Sequence, residues 1–266
     1  MSDFLKKMNL SSSKRAEEAK KRIPLSQLKQ NIENFKPLPL RKNKNFNIIA
    51  EIKKTSPALG SLVNDSFDID LQAKNYTQEN SVAAISVLTE PVAFNGSLDD
   101  LQKVVAISNE KKIPCMRKDF IVDEYQIYEA ASYGASGVLL IVKSLDTDKL
   151  KAFIELSLSL NLFMLIECFD EADIARAHNL LIKQLSLQDF SEKILMGINC
   201  RNLLNLQIEP ERFHAFANLK FEGFDWVAES GIESKEFINE LVASGYSYGL
   251  IGSALMTSNQ LFDELN

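Results

Sequence analysis

Glu51 and Lys53 lie two residues apart at the end of an apolar run, residues 47–52, that is typical of a buried strand. Side chains at positions i and i+2 of a strand project from the same face. Glutamate and lysine are rarely buried unless they are paired. The stretch therefore indicates either a neutralised structural ion pair or an active site, and taken alone it favours neither.

Polar side chains follow later apolar runs in the same way. They are Lys118, Glu167, Asn199, Arg201 and Glu229. If these runs are parallel strands, their carboxyl ends meet at one face, so the side chains gather around one opening. Lysines and carboxylates held together perturb one another's pKa values. We expect burial and like charges to lower lysine pKa values, and nearby ammonium groups to lower carboxyl ones. Such a cluster can supply both an acid and a base near neutral pH.

Eight apolar runs alternate with segments of helical period. The runs are residues 47–52, 82–88, 113–117, 137–142, 162–167, 194–198, 225–228 and 248–251. Continuous apolar runs are typical of parallel strands that are covered on both sides. Eight such strand–helix units predict an α/β fold, a (β/α)8 barrel. The alternative, an open doubly wound sheet, lacks a G-x-G-x-x-G motif after its first strand.

An N-terminal helical extension precedes the barrel. Ser11–Ser13 are predicted N-caps of a helix that ends at Lys21, Pro24 breaks it, and helical spacing resumes over Leu25–Phe35. We assign residues 1–45 to this extension and its linker, and residues 46–266 to a catalytic barrel, within one structural domain overall.

Two glycine-containing segments follow the last two strands. Ser230-Gly231-Ile232 comes after the seventh, and Gly252-Ser253 after the eighth, where it opens a helix. Either glycine alone could merely relax a tight turn. Together, at loops seven and eight of a barrel, they predict a phosphate cradle built from backbone N–H groups.

Composition excludes several classes of function. The chain has 266 residues, 45% of them hydrophobic and 25% charged, with a net charge of −6. No apolar segment approaches the ~20 residues that cross a bilayer, and no basic face suggests nucleic-acid binding. Three cysteines without C-x-x-C spacing and two histidines predict neither disulfides nor a metal site, which suits a reducing cytoplasm. The sequence leaves the oligomeric state open and is compatible with a monomer.

Seven ordered segments resemble one known family. They read I-A-E-I-K-K-T-S-P, L-T-E-P-V-A-F-N-G-S, R-K-D-F-I-V-D-E-Y-Q-I, L-I-E-C, G-I-N-C-R-N-L, A-E-S-G-I and L-I-G-S-A-L-M. In this order they resemble the indole-3-glycerol phosphate synthases of tryptophan biosynthesis, in the monofunctional form. The resemblance covers residues 46–256, and the family also carries an N-terminal helical extension.

The resemblance implies a lyase that needs no cofactor. Its substrate would be 1-(2-carboxyphenylamino)-1-deoxyribulose 5-phosphate, and its products would be indole-3-glycerol phosphate, carbon dioxide and water. Lys118 matches the family's general acid and Glu167 its base. Lys53 matches a residue that either binds phosphate and carboxylate or acts as a second acid. The remaining expected site residues are Glu51, Asn199 and Glu229 in the polar shell, Arg201 and Ser230 at the substrate, Pro57, Phe94, Phe120 and Leu139 in the apolar wall, and Gly231, Gly252 and Ser253 at the phosphate.

Some positions depart from the family pattern. Ala58 and Leu59 stand where a serine and often a lysine are usual, Phe169 where histidine is common, and Cys200 where a polar residue is common. None of these departures removes an acid or a base. Two rival functions are another phosphate-sugar barrel enzyme, such as phosphoribosylanthranilate isomerase or the tryptophan synthase α subunit, and a barrel kept only as a binding module. Neither rival accounts for Glu51-x-Lys53 together with Lys118.

Overall fold

Eight parallel strands form a closed barrel in the computed structural model, which describes residues 2–42, 46–64, 66–258 and 260–265, except for the side chains at positions 188 and 189. The strands are β1 (Asn47–Ile52), β2 (Val82–Leu88), β3 (Cys115–Lys118), β4 (Gly137–Ile141), β5 (Phe163–Cys168), β6 (Ile194–Asn199), β7 (Asp225–Glu229) and β8 (Tyr248–Ile251). Each pairs with its neighbours in chain order, and β1 closes the ring on β8, with Ile49 opposite Leu250. The predicted (β/α)8 fold is confirmed.

Helices surround the barrel. They are α1 (Asp3–Arg22), α2 (Leu25–Asn31), α3 (Ile69–Gln78), α4 (Leu98–Glu110), α5 (Tyr125–Ser132), α6 (Thr147–Ser159), α7 (Glu171–His178), α8 (Glu211–Ala215), α9 (Lys235–Ala243), α10 (Ser253–Thr257) and α11 (Gln260–Leu265). Several begin at a side chain that accepts a backbone N–H, such as Ser97 for α4 and Asp146 for α6. Such caps satisfy N–H groups that the first helical turn leaves unpaired.

Strand residues alternate between two apolar layers. Ile49, Leu165 and Leu250 fill the barrel interior, while Ile48 and Ile166 pack outward against the helices. Because both faces are covered, the strands are apolar almost throughout, which is what made them recognisable. An ionisable side chain on an inward position therefore lies inside the barrel or at its mouth.

The N-terminal segment differs from the prediction. Helix α1 begins at Asp3, capped by Ser2, so Ser11–Ser13 lie in its middle rather than at its start. Ser12 is buried and donates a hydrogen bond to the carbonyl of Phe120, a tertiary contact that a capping pattern cannot reveal. The second helix is shorter than predicted and ends at Asn31.

The linker after α2 passes the amino-terminal ends of the barrel strands, opposite the mouth at their carboxyl ends. Tyr248 Oη donates to the carbonyl of Arg41 at 3.0 Å, and Leu40 packs against the inner apolar layer. Residues 43–45, where the sequence placed the end of the extension, lie outside the described residues, so the division at 45/46 stays a prediction. Across the described part of the chain, no helix is both long and apolar enough to span a membrane.

Candidate active site

Five ionisable side chains meet at the carboxyl ends of the strands. Lys118 at the end of β3 places Nζ 3.2 Å from Glu167 Oε2 on β5 and 3.6 Å from Glu229 Oε2 on β7. Directly after β1, Lys53 places Nζ 2.9 Å from Oε1 of Glu51, which lies on that strand. All five side chains are largely buried. The five charged side chains therefore form one cluster at one mouth of the barrel.

Two glycines make room for the carboxylates. A Cβ built on Gly197 of β6 would collide with Glu229 Oε1. A Cβ on Gly252, after β8, would lie 2.5 Å from Glu51 Oε1 and 2.8 Å from Lys53 Nζ. A side chain at either position would force these carboxylates or the Lys53 ammonium to move. The two glycines therefore leave the space that the charged groups occupy.

Lys118 is held in its charged form. Burial disfavours its ammonium, but the carboxylates of Glu167, Glu229 and Glu51 outweigh burial and raise its pKa above the ordinary lysine value. The predicted fall in lysine pKa values is therefore wrong for Lys118. The reason is geometric, since the nearest charges to its Nζ are carboxylates rather than another ammonium.

The two carboxyl groups on β1 and β7 shift in opposite directions. Burial alone would raise the pKa of Glu51, but Lys53 and Lys118 more than offset it and lower that pKa. Burial, followed by repulsion from Glu167, raises the pKa of Glu229 well above its ordinary range. Both oxygens of Glu229 are buried and, within the described residues, neither has a hydrogen-bond partner in the 3.5 Å range. Burial and the neighbouring Glu167 therefore both favour the protonated form of Glu229.

A second group of polar side chains lies on β6 and the loop after β7. Asn199 Oδ1 accepts hydrogen bonds from the Arg201 N–H at 3.0 Å and from Ser230 Oγ at 3.1 Å. Arg201 in turn donates from Nη1 to the carbonyl of Leu206 at 2.7 Å, within the loop after β6. Asn199 therefore ties two loops together at the rim.

The predicted cradle has unusual backbone geometry. Ser230 and Gly231 are consecutive residues in the left-handed region, with φ values of +75° and +72°. A serine rarely adopts this conformation, and its bond to Asn199 helps to hold it there. The backbone therefore turns sharply at these two residues, directly after β7. Gly252 and Ser253, at the start of α10, line the same cavity.

The apolar wall contains residues from the N-terminal helix that the sequence did not predict. Phe94 and Phe120 lie 6.4 Å apart between ring centroids, and Phe4 of α1 meets Phe120 edge-on at 6.2 Å. Leu5, buried next to Phe4, also lines the cavity. The predicted helix began only at Ser11–Ser13, so residues 4 and 5 were not expected to be helical or to reach the cavity.

A buried glutamate shapes the loop that carries Phe94. Glu90 follows β2, and its carboxylate accepts the backbone N–H groups of Val92, Ala93 and Phe94 at 3.0, 2.6 and 3.3 Å. The loop then turns at Gly96, where a Cβ would collide with the carbonyl of Leu88. This self-bonded turn positions the Phe94 ring at the cavity.

All predicted site residues line one cavity of about 790 Å³. It is bounded by Glu51, Lys53, Pro57, Phe94, Lys118, Phe120, Leu139, Glu167, Asn199, Arg201, Glu229, Ser230, Gly231, Gly252 and Ser253, together with Phe4, Leu5, Phe169 and residues of the loop after β6. Charged groups lie near its centre, the glycine-containing loops at one side and the phenylalanine rings at the other. A ligand with an anionic end and an aromatic end matches this layout.

Comparison with known proteins identifies the group to which the sequence belongs. The profile of the indole-3-glycerol phosphate synthase family matches residues 5–265. The chain belongs to the indole-3-glycerol phosphate synthase family. It is 37% identical to the indole-3-glycerol phosphate synthase of Lacticaseibacillus paracasei over 89% of this chain and 87% of that one. It is 40% identical to the Campylobacter jejuni enzyme over 81% and 78% of the two chains.

Solved structures with a similar fold are more distant in sequence. Thiamine phosphate pyrophosphorylase from Pyrococcus furiosus has a TM-score of 0.54 at 12% identity, covering 82% of this chain and 91% of that one. A mandelate oxidase variant with an FMN adduct has a TM-score of 0.53 at 14% identity, covering 94% and 91%. At this identity they are similar in fold alone.

The departures from the indole-3-glycerol phosphate synthase pattern spare the charged cluster. Phe169, where the family commonly has histidine, is buried in the cavity wall, and its N–H donates to Asp173 at 3.0 Å. Cys200 is buried in the outer layer, donates to the carbonyl of Ser230 at 3.4 Å, and burial raises its thiol pKa to about 11. Ala58 and Leu59 lie on the rim, where Leu59 is exposed. The acid and base groups of the cluster do not depend on these residues.

Proposed function

We propose that this chain closes the indole ring of 1-(2-carboxyphenylamino)-1-deoxyribulose 5-phosphate, releasing carbon dioxide and water to give indole-3-glycerol phosphate in tryptophan biosynthesis. The observation that carries the proposal is the Lys118 ammonium, 3.2 Å from Glu167 and 3.6 Å from Glu229 inside a cavity with one aromatic side. The substrate is a phosphorylated small molecule, as the family's reaction requires.

Lys118 donates the first proton. The ring carbon that bears the substrate's carboxylate attacks the ketone carbon, a carbon–carbon bond forms, and the ketone oxygen becomes an alkoxide. A nearby ammonium stabilises that charge and then protonates it. The raised pKa of Lys118 keeps its ammonium available at neutral pH. The carboxylate then leaves as carbon dioxide, and its bonding electrons restore the aromatic ring.

Glu167 acts as the base of the last step. It removes a proton from the methylene carbon next to the substrate nitrogen while a carbon–carbon double bond forms and the hydroxyl leaves, with one added proton, as water. Its carboxylate is within hydrogen-bond distance of the Lys118 ammonium, at 3.2 Å, so the base and the first proton donor lie side by side. The raised pKa of the buried Glu229 favours its protonated form, which limits the negative charge around Lys118.

The anionic end of the substrate is assigned to the side of the cavity that carries the glycines. Gly231, Gly252 and Ser253 supply the backbone cradle, and Lys53, next to Gly252, adds a positive charge that Glu51 orients at 2.9 Å. The Lys53 ammonium is also in position to serve as the second proton donor. Arg201, Asn199 and Ser230 lie between the cradle and the charged centre, where they contact the sugar chain and the carboxylate.

The aromatic end is assigned to the phenylalanine side. Phe94, Phe120, Leu139 and Pro57 form its walls, and offset or edge-on ring contacts favour an anthranilate ring there. We also propose that the chain acts as a monomer in the cytoplasm, a reducing compartment that its three cysteines match because all of them are buried free thiols. Sedimentation at several concentrations tests the monomer, and fractionation of cells tests the location.

The direct test supplies the purified protein with the carboxyphenylamino substrate. Formation of the indole product is followed by its fluorescence, with released carbon dioxide measured in parallel at equal stoichiometry. Lys103→Met, a change at an exposed position on α4, serves as a matched control for the loss of one lysine. A folded protein that bound the substrate but formed neither product would refute the proposed function.

A further inference from the structure

The buried carboxylate of Asp119 accepts hydrogen bonds from two arginines and a threonine. Arg15 of α1 binds it with two hydrogen bonds, Nη1 to Oδ2 at 2.9 Å and Nη2 to Oδ1 at 2.8 Å. Arg117 adds a third from Nη2 at 3.1 Å, and Thr89 Oγ1 donates at 2.7 Å. The Asp119 side chain is fully buried, so these contacts are well shielded from solvent. Paired guanidinium–carboxylate bonds fix orientation as well as distance.

This carboxylate lies between two groups that line the cavity. Asp119 directly follows Lys118 and precedes Phe120, and its Oδ1 also accepts the Phe120 N–H at 2.8 Å. Lys118 lines the cavity, while the Asp119 carboxylate accepts hydrogen bonds from α1 and from Thr89, directly after β2. Fixing Asp119 therefore fixes the backbone from which both the ammonium and the aromatic ring project.

The same helix reaches the cavity at its other end. Three turns before Arg15, Phe4 and Leu5 form part of the cavity wall, and Ser12 donates to the carbonyl of Phe120. Gln126 supports this contact, since its Nε2 donates to Ser12 Oγ at 2.8 Å. Helix α1 is therefore attached to the end of β3 at two points one turn apart.

We propose that Arg15 is a positioning residue for the reaction: its two-point bond to Asp119 aligns Lys118 and Phe120 from outside the barrel and holds Phe4 and Leu5 over the cavity. The inference rests on the proposed function. Arg15 touches none of the reacting atoms and acts through Asp119 and α1.

The network explains why arginine suits this position. Arg117 also binds Glu129 at 2.8 Å, so two guanidinium groups face two carboxylates and the group is neutral as a whole. A lysine at position 15 would keep the charge but could not bind both Asp119 oxygens in a planar fork. Asp119 would keep Arg117 and Thr89, so the strand would persist while α1 lost one of its two attachments.

The test compares three variants of the full chain at 25 °C. Arg15→Met removes the charge and the fork, and Arg15→Lys removes only the fork. Lys14→Met removes a charge from the adjacent exposed position of the same helix. For Arg15→Met we expect kcat to fall between about tenfold and 100-fold, because small misplacements of reacting groups have effects of this size. KM should rise about tenfold, because the wall formed by Phe4 and Leu5 is loosened. The kcat and KM of Arg15→Lys should lie between those of the parent and those of Arg15→Met. The kcat and KM of Lys14→Met should match the parent's.

Two further measurements separate positioning from folding and from the proposed function. Amide hydrogen exchange should quicken along α1 in Arg15→Met but not in Lys14→Met, while thermal unfolding stays cooperative in both. If Arg15→Met kept kcat and KM within twofold of the parent, even with a lower Tm, Arg15 would be only structural and the inference would be overturned. Parental kinetics in Arg15→Lys would overturn the role of the fork. Absence of turnover in the unaltered protein would instead refute the proposed function itself.

Discussion

Replacing Lys118 by methionine tests both the chemistry and the electrostatics of the cluster. Methionine keeps the length and apolar stem of the side chain and removes the ammonium that lies 3.2 Å from Glu167. If Lys118 donates the first proton, kcat should fall about 10²–10⁴-fold, with a smaller effect on KM. That range corresponds to about 3–5 kcal/mol of transition-state stabilisation.

The same substitution has a defined effect on stability. At 3.2 Å and an effective dielectric constant near 20, the lost attraction is about 5 kcal/mol. The variant can relieve the unpaired negative charge by binding one proton. An unfolded glutamate binds that proton only below about pH 4.3, so this relief costs about 3.7 kcal/mol at pH 7. The free energy of unfolding should therefore drop by at most about 3–4 kcal/mol at pH 7, and the deficit should shrink by about 1.4 kcal/mol for each pH unit lowered.

Two assays check these values. Product fluorescence gives kcat and KM, and urea unfolding between pH 5 and 8 gives the stability difference from the parent, with Lys103→Met as the control for a surface charge. The double variant Lys118→Met with Glu167→Gln should recover most of the lost stability and none of the activity. Near-parental turnover by folded Lys118→Met would move the acid role to another group, such as Lys53. A stability deficit independent of pH would refute the inferred ion pair.

Three further predictions follow from other parts of the site. Glu229→Gln should become more stable relative to the parent as pH rises above about 4.5, because native Glu229 keeps a proton that the unfolded chain releases. Urea unfolding measures the free-energy difference, with Glu155→Gln at an exposed position as control. A stability difference that does not change with pH contradicts this prediction. Gly231→Ala, strained by its positive φ and by a Cβ 2.7 Å from Ile208, should raise KM and the inhibition constant of inorganic phosphate more than it lowers kcat; an unchanged KM argues against the cradle. A chain that starts at residue 45 should unfold cooperatively at a lower temperature and bind substrate poorly, whereas loss of all folded signal in circular dichroism would make the extension part of the barrel core.

Much of the barrel could be predicted because its strands are covered on both faces. The bounds of β1, β2 and β8 were predicted to the residue, since each is a continuous apolar run between turn residues. The start of β3 was placed two residues early, at Ile113, because Pro114 interrupts an apolar run without ending it. Strand ends also located the charged residues, because parallel strands bring their carboxyl ends to one face.

The parts that the sequence did not predict depend on contacts between distant segments. Phe4, Leu5 and Arg15 reach the cavity or its support only because α1 docks on the end of β3, and helical periodicity carries no information about docking partners. The direction of the Lys118 pKa shift likewise depends on which charges lie within 3 to 4 Å of its Nζ. A list of strand ends gives the members of the cluster without these distances.

The pairing of β1 with β8 has a consequence for how the protein is made. Ile49 and Leu250 are partners in the ring although some two hundred residues separate them in the chain. Synthesis proceeds at roughly 5–20 residues per second, so β1 leaves the ribosome many seconds before its partner exists. During that interval Glu51 lacks the neighbouring backbone of Gly252, and one edge of β1 stays unpaired. We therefore expect nascent chains that stop before β8 to be recognised by chaperones, and the ability to turn over substrate to be acquired only when the last strand is added.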